Sequence, residues 1–225
     1  GNPIEVPTIK IEKIENNIAL ENEIKNIKDY TYLILTSKNA VDIFFDKLDE
    51  MDLDSRVLAN LKVCAIGSAT AKEIKNRGIK ADIVPEKFVA EYLFEELKDV
   101  LKDSDKVLIP RSKNARDFLV DKISEICEVK EVHIYETVLD DSKKDEVLDI
   151  LNSGEADYIT FASSSTVTNF VDIIGKENID KLNELKVISI GPITTQTAKD
   201  LNISIYKEAD IATIDGMIDS IMNDK

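Results

Sequence analysis

Short apolar runs alternate with amphipathic stretches along almost the whole chain. Tyr32–Leu35, Val63–Ile66, Ala81–Val84, Val107–Ile109, Tyr158–Phe161 and Val187–Ile190 carry few polar residues. Runs of this length without strict alternation predict strands covered on both faces. Between them, Val41, Phe44, Phe45 and Leu48 fall on one helical face, as do Leu93, Phe94, Leu97 and Leu101. Strands alternating with helices predict βαβ units and parallel sheets with right-handed crossovers. Two segments break the rhythm. Val6–Ile11 carries Val6, Ile9 and Ile11 around Pro7. In Val129–Val138, period-two alternation puts His133 and Tyr135 on one strand face and Val132 and Ile134 on the other.

The pattern also repeats. Leu35-Thr36-Ser37-Lys38-Asn39-Ala40-Val41 returns 126 residues later as Phe161-Ala162-Ser163-Ser164-Ser165-Thr166-Val167, and Phe44 returns as Phe170. Lys62-Val63-Cys64-Ala65-Ile66-Gly67-Ser68-Ala69-Thr70 returns 124 residues later as Lys186-Val187-Ile188-Ser189-Ile190-Gly191-Pro192-Ile193-Thr194. Two offsets so close imply two copies of one β-loop-α-β-loop-α unit separated by a small indel. Each copy has the size of a small doubly wound domain. The two irregular segments flank the first copy, which is therefore expected to be inserted within the second. The expected partition is an α/β domain over 12–130, a second over 1–5 with 140–225, and linker strands at 6–11 and 131–139. A double crossing of this kind restrains twist and permits hinge motion.

Composition narrows the function. The net charge is -15, which argues against nucleic acid and against an anionic membrane surface. No apolar run is long enough to span a bilayer and no signal peptide is visible. Cys64 and Cys127 sit in apolar segments without metal-type spacing and read as buried thiols of a reducing, cytoplasmic setting. The chain begins Gly1-Asn2-Pro3 and is read as a piece of a longer or processed polypeptide.

In open parallel sheets, ligands bind beyond the carboxyl ends of the strands. The segments there are Thr36-Ser37-Lys38-Asn39, Gly67-Ser68-Ala69-Thr70, Pro110-Arg111-Ser112-Lys113-Asn114, Ser163-Ser164-Ser165-Thr166 and Gly191-Pro192-Ile193-Thr194-Thr195. Each is expected to open a helix. Capping explains any one of them. Together they offer a set of helix N-termini, whose free N–H groups and partial positive charge suit carboxylates. Such a rim lets an acidic protein bind a polyanion, with Lys38, Arg111, Lys113 and Arg116 adding local charge. The loops at Thr36-Ser37, Ser68, Ser163-Ser164 and Thr194 are expected to face one interdomain cleft. The remaining inventory is thin. His133 is the single histidine, and no P-loop, dinucleotide fingerprint or metal-ligand cluster occurs. The residues point to a site that binds and shapes a ligand rather than to a nucleophile.

These motifs, in this order, resemble the uroporphyrinogen-III synthase family. The resemblance rests on Leu33-Ile34-Leu35-Thr36-Ser37, on Ile66-Gly67-Ser68-Ala69-Thr70 with Ile190-Gly191-Pro192-Ile193-Thr194, on Leu108-Ile109-Pro110-Arg111, on Tyr135-Glu136-Thr137-Val138 and on Phe161-Ala162-Ser163-Ser164-Ser165. Val84-Pro85-Glu86 and Ala212-Thr213-Ile214-Asp215-Gly216 add to it. It implies two flavodoxin-like domains joined by a two-stranded ladder, and a cytoplasmic, monomeric, cofactor-free lyase. The implied substrate is hydroxymethylbilane, a linear tetrapyrrole with acetate and propionate arms. The enzyme removes its hydroxyl, inverts the last pyrrole ring and closes the macrocycle, on a route to haem, sirohaem or cobalamin. Fusion to a preceding methyltransferase is known in the family. The chain departs from the pattern twice. A strand and helix expected upstream of Val6–Ile11 are missing, and Ala162 stands where Thr is common.

Substrate-binding residues implied by position are Thr36, Ser37, Lys38, Asn39, Gly67, Ser68, Thr70, Arg111, Ser112, Ser163, Ser164, Ser165, Gly191 and Thr194. Loss of hydroxyl needs a proton donor, and the resemblance favours Tyr135 over His133 as a weak general acid. The residues alone leave two other readings open: a non-catalytic two-lobed binding module for an acidic small molecule, and a flavodoxin-like redox or signalling domain. Tight binding of tetrapyrrole without turnover would favour the first, and flavin absorbance in a purified sample would favour the second.

Overall fold

The computed structural model describes residues 1–224. The chain divides into two compact units, an inner one of residues 11–137 and an outer one of residues 1–10 with 138–225. The inner unit comprises β1 (Ile9–Lys13, whose first two residues count with the outer unit), α1 (Ile18–Lys25), β2 (Tyr32–Leu35), α2 (Lys38–Glu50), β3 (Lys62–Ala65), α3 (Ser68–Asn76), α4 (Ala90–Lys98), β4 (Lys106–Ser112), α5 (Phe118–Ser124) and β5 (Glu128–Leu139, whose last two residues count with the outer unit). The outer unit continues with α6 (Lys144–Ser153), β6 (Tyr158–Phe161), α7 (Ser164–Ile174), α8 (Ile179–Leu182), β7 (Lys186–Ser189), α9 (Pro192–Asp200), β8 (Ile205–Glu208) and α10 (Ile214–Met222).

The inner sheet has the order β1-β5-β4-β2-β3. Its β5–β4–β2–β3 part is parallel. At the edge, Ile14 N donates to Ile134 O and Asp140 N to Thr8 O, so β1 runs against β5. All four residues of β2 are buried, because helices cover both faces. Leu33 and Leu35 enter one cluster with Val41, Phe44 and Leu48 of α2. Tyr32 and Ile34 enter the other with Leu93, Leu97, Val107, Ile109, Leu119 and Ile123. Each such buried side chain contributes about 1.5–3 kcal/mol. Cys64 and Cys127 lie in this second layer as free thiols, and burial pushes Cys64 up to about 12 and Cys127 upward.

The outer sheet is parallel with the order β6-β7-β8. The sequence repeat continues through it. The pair β2/β6 lies 126 residues apart; β3/β7, α3/α9 and α4/α10 lie 124 apart. The indel falls in the first helix, which has 13 residues in α2 and 11 in α7.

Several expected elements differ. Ala81–Val84 does not form a strand; it makes a single bridge, Cys64 to Ile83. The Asp82 carboxylate accepts from Val63 N at 2.8 Å, which puts a side chain where the ladder would continue. Its counterpart β8 is a strand, although Tyr206, Lys207 and Glu208 hide it among polar positions; only Ile205 packs on the core there. The segment Pro110–Asn114 does not open a helix. Pro110, Arg111 and Ser112 extend β4 beyond its last pairing with β2, so the missing Pro110 N–H faces no neighbouring strand on that side. The period-two reading of β5 fails at one point. Arg111 pairs with His133 but Ser112 pairs with Tyr135, which makes Ile134 an extra residue. This bulge turns Tyr135 into the core cluster with Val132 and Ile134, while His133 stays exposed.

Asp224, just after α10, is clasped to the outer sheet. Asp224 accepts from Lys186 Nζ, Tyr158 Oη and Tyr206 Oη, each at 2.5 Å, and Lys186 lies over both rings. Lys186 first, then the two phenols, hold the Asp224 carboxyl well below the usual range. A carboxyl depressed in the folded state stabilises above its unfolded pKa, and the contribution fades as pH falls below it. Asp224→Asn is therefore expected to lower the melting temperature at pH 7, with the gap to the unsubstituted chain narrowing as the pH drops below about 4. A gap that stays constant down to low pH would contradict the clasp.

Candidate functional site

In both copies two residues separate a helix start from a parallel strand whose last residue is buried. Ser37 caps α2 and its Oγ accepts from Ala40 N at 3.0 Å; Ser163 caps α7 and accepts from Thr166 N at 3.2 Å. Gly67 and Gly191 occupy the same position before α3 and α9, where no side chain caps the helix. The opening N–H groups of a helix have no partners within it. Those of Ser68 and Ala69 at the start of α3, and of Ile193 after the Pro192 ring in α9, are therefore held out beyond the sheet by fixed backbone.

The two glycines meet different neighbours. A Cβ on Gly67 would lie 2.8 Å from Phe88 Cβ, whereas a Cβ on Gly191 would make an ordinary 3.7 Å contact with Ala212. Phe88 and Ala212 are themselves related by the 124-residue offset. An exposed phenylalanine thus lies against the Gly67 loop of the inner unit, and sequence reading missed it because nothing in the local pattern marks it.

The hydroxyl-bearing candidates separate into two groups. Thr36, Ser37, Asn39, Ser163 and Ser164 are half-buried, and Lys38, Ser68 and Ser165 are exposed. Thr70 and Thr194 are each only 4% exposed and Ser112 is buried, so the two threonines have little more than their backbone to present. Ser112 Oγ accepts from Asn114 N at 3.2 Å, and Asn114 Oδ1 accepts from Thr137 N at 2.8 Å, which ties this turn to β5.

Arg111 is not a free cation. It is 3% exposed. Its Nε donates to Glu131 Oε1 at 2.5 Å, Nη1 to Arg116 O at 2.7 Å and Nη2 to Asp117. Glu131 Oε1 also meets His133 Nε2 at 2.5 Å. All three guanidinium nitrogens are thus spent, Nη1 and Nη2 on the chain between β4 and α5 and Nε on β5. The other rim cations are paired at the surface: Lys38 with Glu73 at 3.7 Å, Lys113 with Glu136 at 3.1 Å and Arg116 with Glu91 at 3.1 Å. Such exposed pairs are worth little and yield readily to a carboxylate ligand. Tyr135 is 6% exposed, and its hydroxyl meets Ser37 Oγ at 2.9 Å. No cluster of potential metal ligands occurs among the described residues, and none of their helices is long and apolar enough to cross a membrane.

Two helix-opening loops thus recur in each copy at fixed offsets, and the Tyr135 phenol lies behind one of them. The chain matches the family model for "Uroporphyrinogen-III synthase HemD" over residues 1–219. This chain belongs to the uroporphyrinogen-III synthase family. It is 37% identical over 223 residues to the porphyrin biosynthesis protein HemD of Ruminiclostridium josui, covering 99% of this chain and 44% of that one. The chain thus spans less than half the length of that relative. It is 30% identical over 221 residues to the uroporphyrinogen-III synthase of Synechococcus elongatus, covering 96% and 83%. Among solved structures, uroporphyrinogen-III synthase of Helicobacter pylori aligns with a TM-score of 0.59 at 20% identity, over 96% and 91% of the two chains. A Thermus thermophilus synthase variant aligns at 0.57 and 16%, over 96% and 86%. At these identities the structural likeness establishes the fold, two α/β domains with parallel sheets.

The Arg111 network generates a prediction. Arg111→Met keeps the apolar stem but leaves Glu131 and Asp117 without their shared partner. It should lower the unfolding free energy by about 2 kcal/mol in urea titration. An unchanged midpoint would show that the network contributes nothing to the fold.

Proposed function

We propose that this chain converts hydroxymethylbilane to uroporphyrinogen III, acting as a cyclising carbon–oxygen lyase of tetrapyrrole biosynthesis in the cytoplasm. The observation that carries the reading is the family match along nearly the full chain. The substrate bears carboxylates on every ring, and the repeated helix starts supply what they require. Backbone N–H groups behind Thr36-Ser37-Lys38-Asn39, Gly67-Ser68, Ser163-Ser164-Ser165 and Gly191 through Thr194 bind the acetate and propionate arms. Thr70, Ser112 and Arg111 act by shaping their loops, since their side chains are buried.

Binding of this kind explains how a protein of net charge -15 holds a polyanion: the donors are dipoles in fixed positions, and the mobile surface lysines only assist. The reaction asks little of acid–base groups. The pyrrole nitrogen lone pair drives out the hydroxyl, and one weakly acidic proton, held by the Tyr135 hydroxyl and its partner Ser37, assists the departure. The larger task is to hold the chain ends so that the last ring closes in inverted orientation rather than directly, which is a matter of positioning.

The test is incubation with freshly made hydroxymethylbilane, followed by oxidation and chromatographic separation of isomers. Type III product in excess over the spontaneous type I isomer is the expected result. Type I product alone would sink the reading. Because backbone N–H groups survive side-chain truncation, Ser68→Ala and Ser164→Ala should each cost less than about tenfold in kcat/KM, under about 1.4 kcal/mol. Losses of a hundredfold or more would show that the hydroxyls, not the amides, do the holding.

A further inference from the structure

We propose that Ser37 delivers the proton to the departing hydroxyl, with Tyr135 behind it as the residue that positions and replenishes that proton. The proposal deepens the synthase reading and rests on it. Its starting point is a difference between the two copies. Ser37 and Ser163 occupy the same helix cap, and each accepts one helix amide. The other bonds of Ser163 go to Ser165 Oγ at 3.0 Å and Thr166 Oγ1 at 2.6 Å, both within its own helix. Capping accounts for Ser163 completely. The other bond of Ser37 goes to Tyr135 Oη at 2.9 Å, a residue from β5 on the far side of the sequence. Capping does not require that contact.

Hydrogen accounting sets its direction. Ser37 Oγ has one hydrogen and two lone pairs, and Ala40 N–H occupies one lone pair. Among the described residues Ser37 is the one partner of the Tyr135 hydroxyl. If Ser37 donated to Tyr135, the phenolic hydrogen would be left without an acceptor in a nearly sealed site, which is costly. The stable arrangement has Tyr135 donating to Ser37 Oγ. The Ser37 hydrogen is then the one left over, on a half-buried side chain at the rim. The fold carries a feature that makes the pair: without the bulge at Ile134, Tyr135 would point with His133 to the exposed face. Bulges that re-aim a side chain are common beside functional sites. His133 is engaged with Glu131 instead.

The step balances without a further reactant. The carbon–oxygen bond of the hydroxymethyl group breaks with its electron pair on oxygen. Ser37 gives that oxygen its proton, so water leaves, and Ser37 Oγ takes the proton of Tyr135. The pyrrole nitrogen lone pair satisfies the electron-poor carbon. When the ring closes, the attacked pyrrole carbon loses a proton, which returns through Ser37 to Tyr135.

The test separates capping from proton delivery. Ser37→Asn keeps a side-chain oxygen for Ala40 N–H, since Asn caps as well as Ser, but has no hydroxyl. Ser37→Thr keeps both. Turnover by Ser37→Asn and by Tyr135→Phe is expected to fall about tenfold to a hundredfold, the lower end of general-acid assistance. The double variant should fall no further than the worse single one, Ser37→Thr should retain turnover, and melting temperatures should stay close to that of the unsubstituted chain. Unchanged turnover in Ser37→Asn, or single effects that multiply in the double variant, would overturn the relay while leaving the synthase reading intact. An unsubstituted chain that forms no type III isomer would overturn both.

Discussion

The arrangement depends on one constraint: a helix that begins immediately after a buried strand must leave its first N–H groups pointing past the sheet edge. Four of the helices start in this way, α2 and α3 in the inner unit and α7 and α9 in the outer one. Their starts are held because β2, β3 and β7 are largely buried, Phe161 anchors the end of β6 in the core, and the following helices are fixed by residues such as Phe44 and Phe170. The positions of the unpaired donors are therefore set by the core. Side chains at the rim only decide which donors are used internally. Ser37 and Ser163 consume one amide each, and Gly67 and Gly191 consume none.

The two copies share this frame but have diverged around it. In the inner unit, β4 and α5 complete the second face, where Phe94 meets Phe118 edge-on at 6.3 Å. The corresponding face of the outer unit is a small cluster of Ile188, Ala209 and Met217, and α10 leaves Ile214, Ile218 and Met222 exposed along one side. The inner unit also has the buried Arg111 network and the Tyr135–Ser37 contact, for which the outer unit has no equivalent among the described residues. If the loops bind as proposed, duplicated helix starts with one Tyr135–Ser37 contact suit a substrate that is repetitive in its arms but reacts at one end.

Much of this was legible in the sequence, for identifiable reasons. The strands Tyr32–Leu35 and Tyr158–Phe161 end where their apolar runs end; β2 is buried throughout, as a parallel strand covered on both faces tolerates little else, whereas β6 is buried only at Phe161 and leaves Thr160 exposed. The repeat was legible because both copies need small or polar residues at the same helix caps. Three features were not. The strand β8 carries a polar outer side, so period and hydrophobicity both miss it. The bulge at Ile134 changes one residue's facing without any local signature, and with it the surroundings of Tyr135. Arg111 looked like a ligand cation because Glu131 and Asp117, which neutralise it, lie 20 and 6 residues away in sequence; the pairing of β4 and β5 brings Glu131 to it, and the turn into α5 brings Asp117.

The central claim is that backbone amides at the helix starts hold the substrate's carboxylates. Amide-resolved nuclear magnetic resonance during titration with uroporphyrin III, a stable polycarboxylate probe, tests it directly. The account predicts the largest shifts at the N–H groups of Lys38, Asn39, Ser68, Ala69, Ser164, Ser165, Ile193 and Thr194, at the carboxyl ends of the strands. Shifts concentrated instead at the opposite strand ends, around Lys62, Lys106 and Lys186, would contradict it.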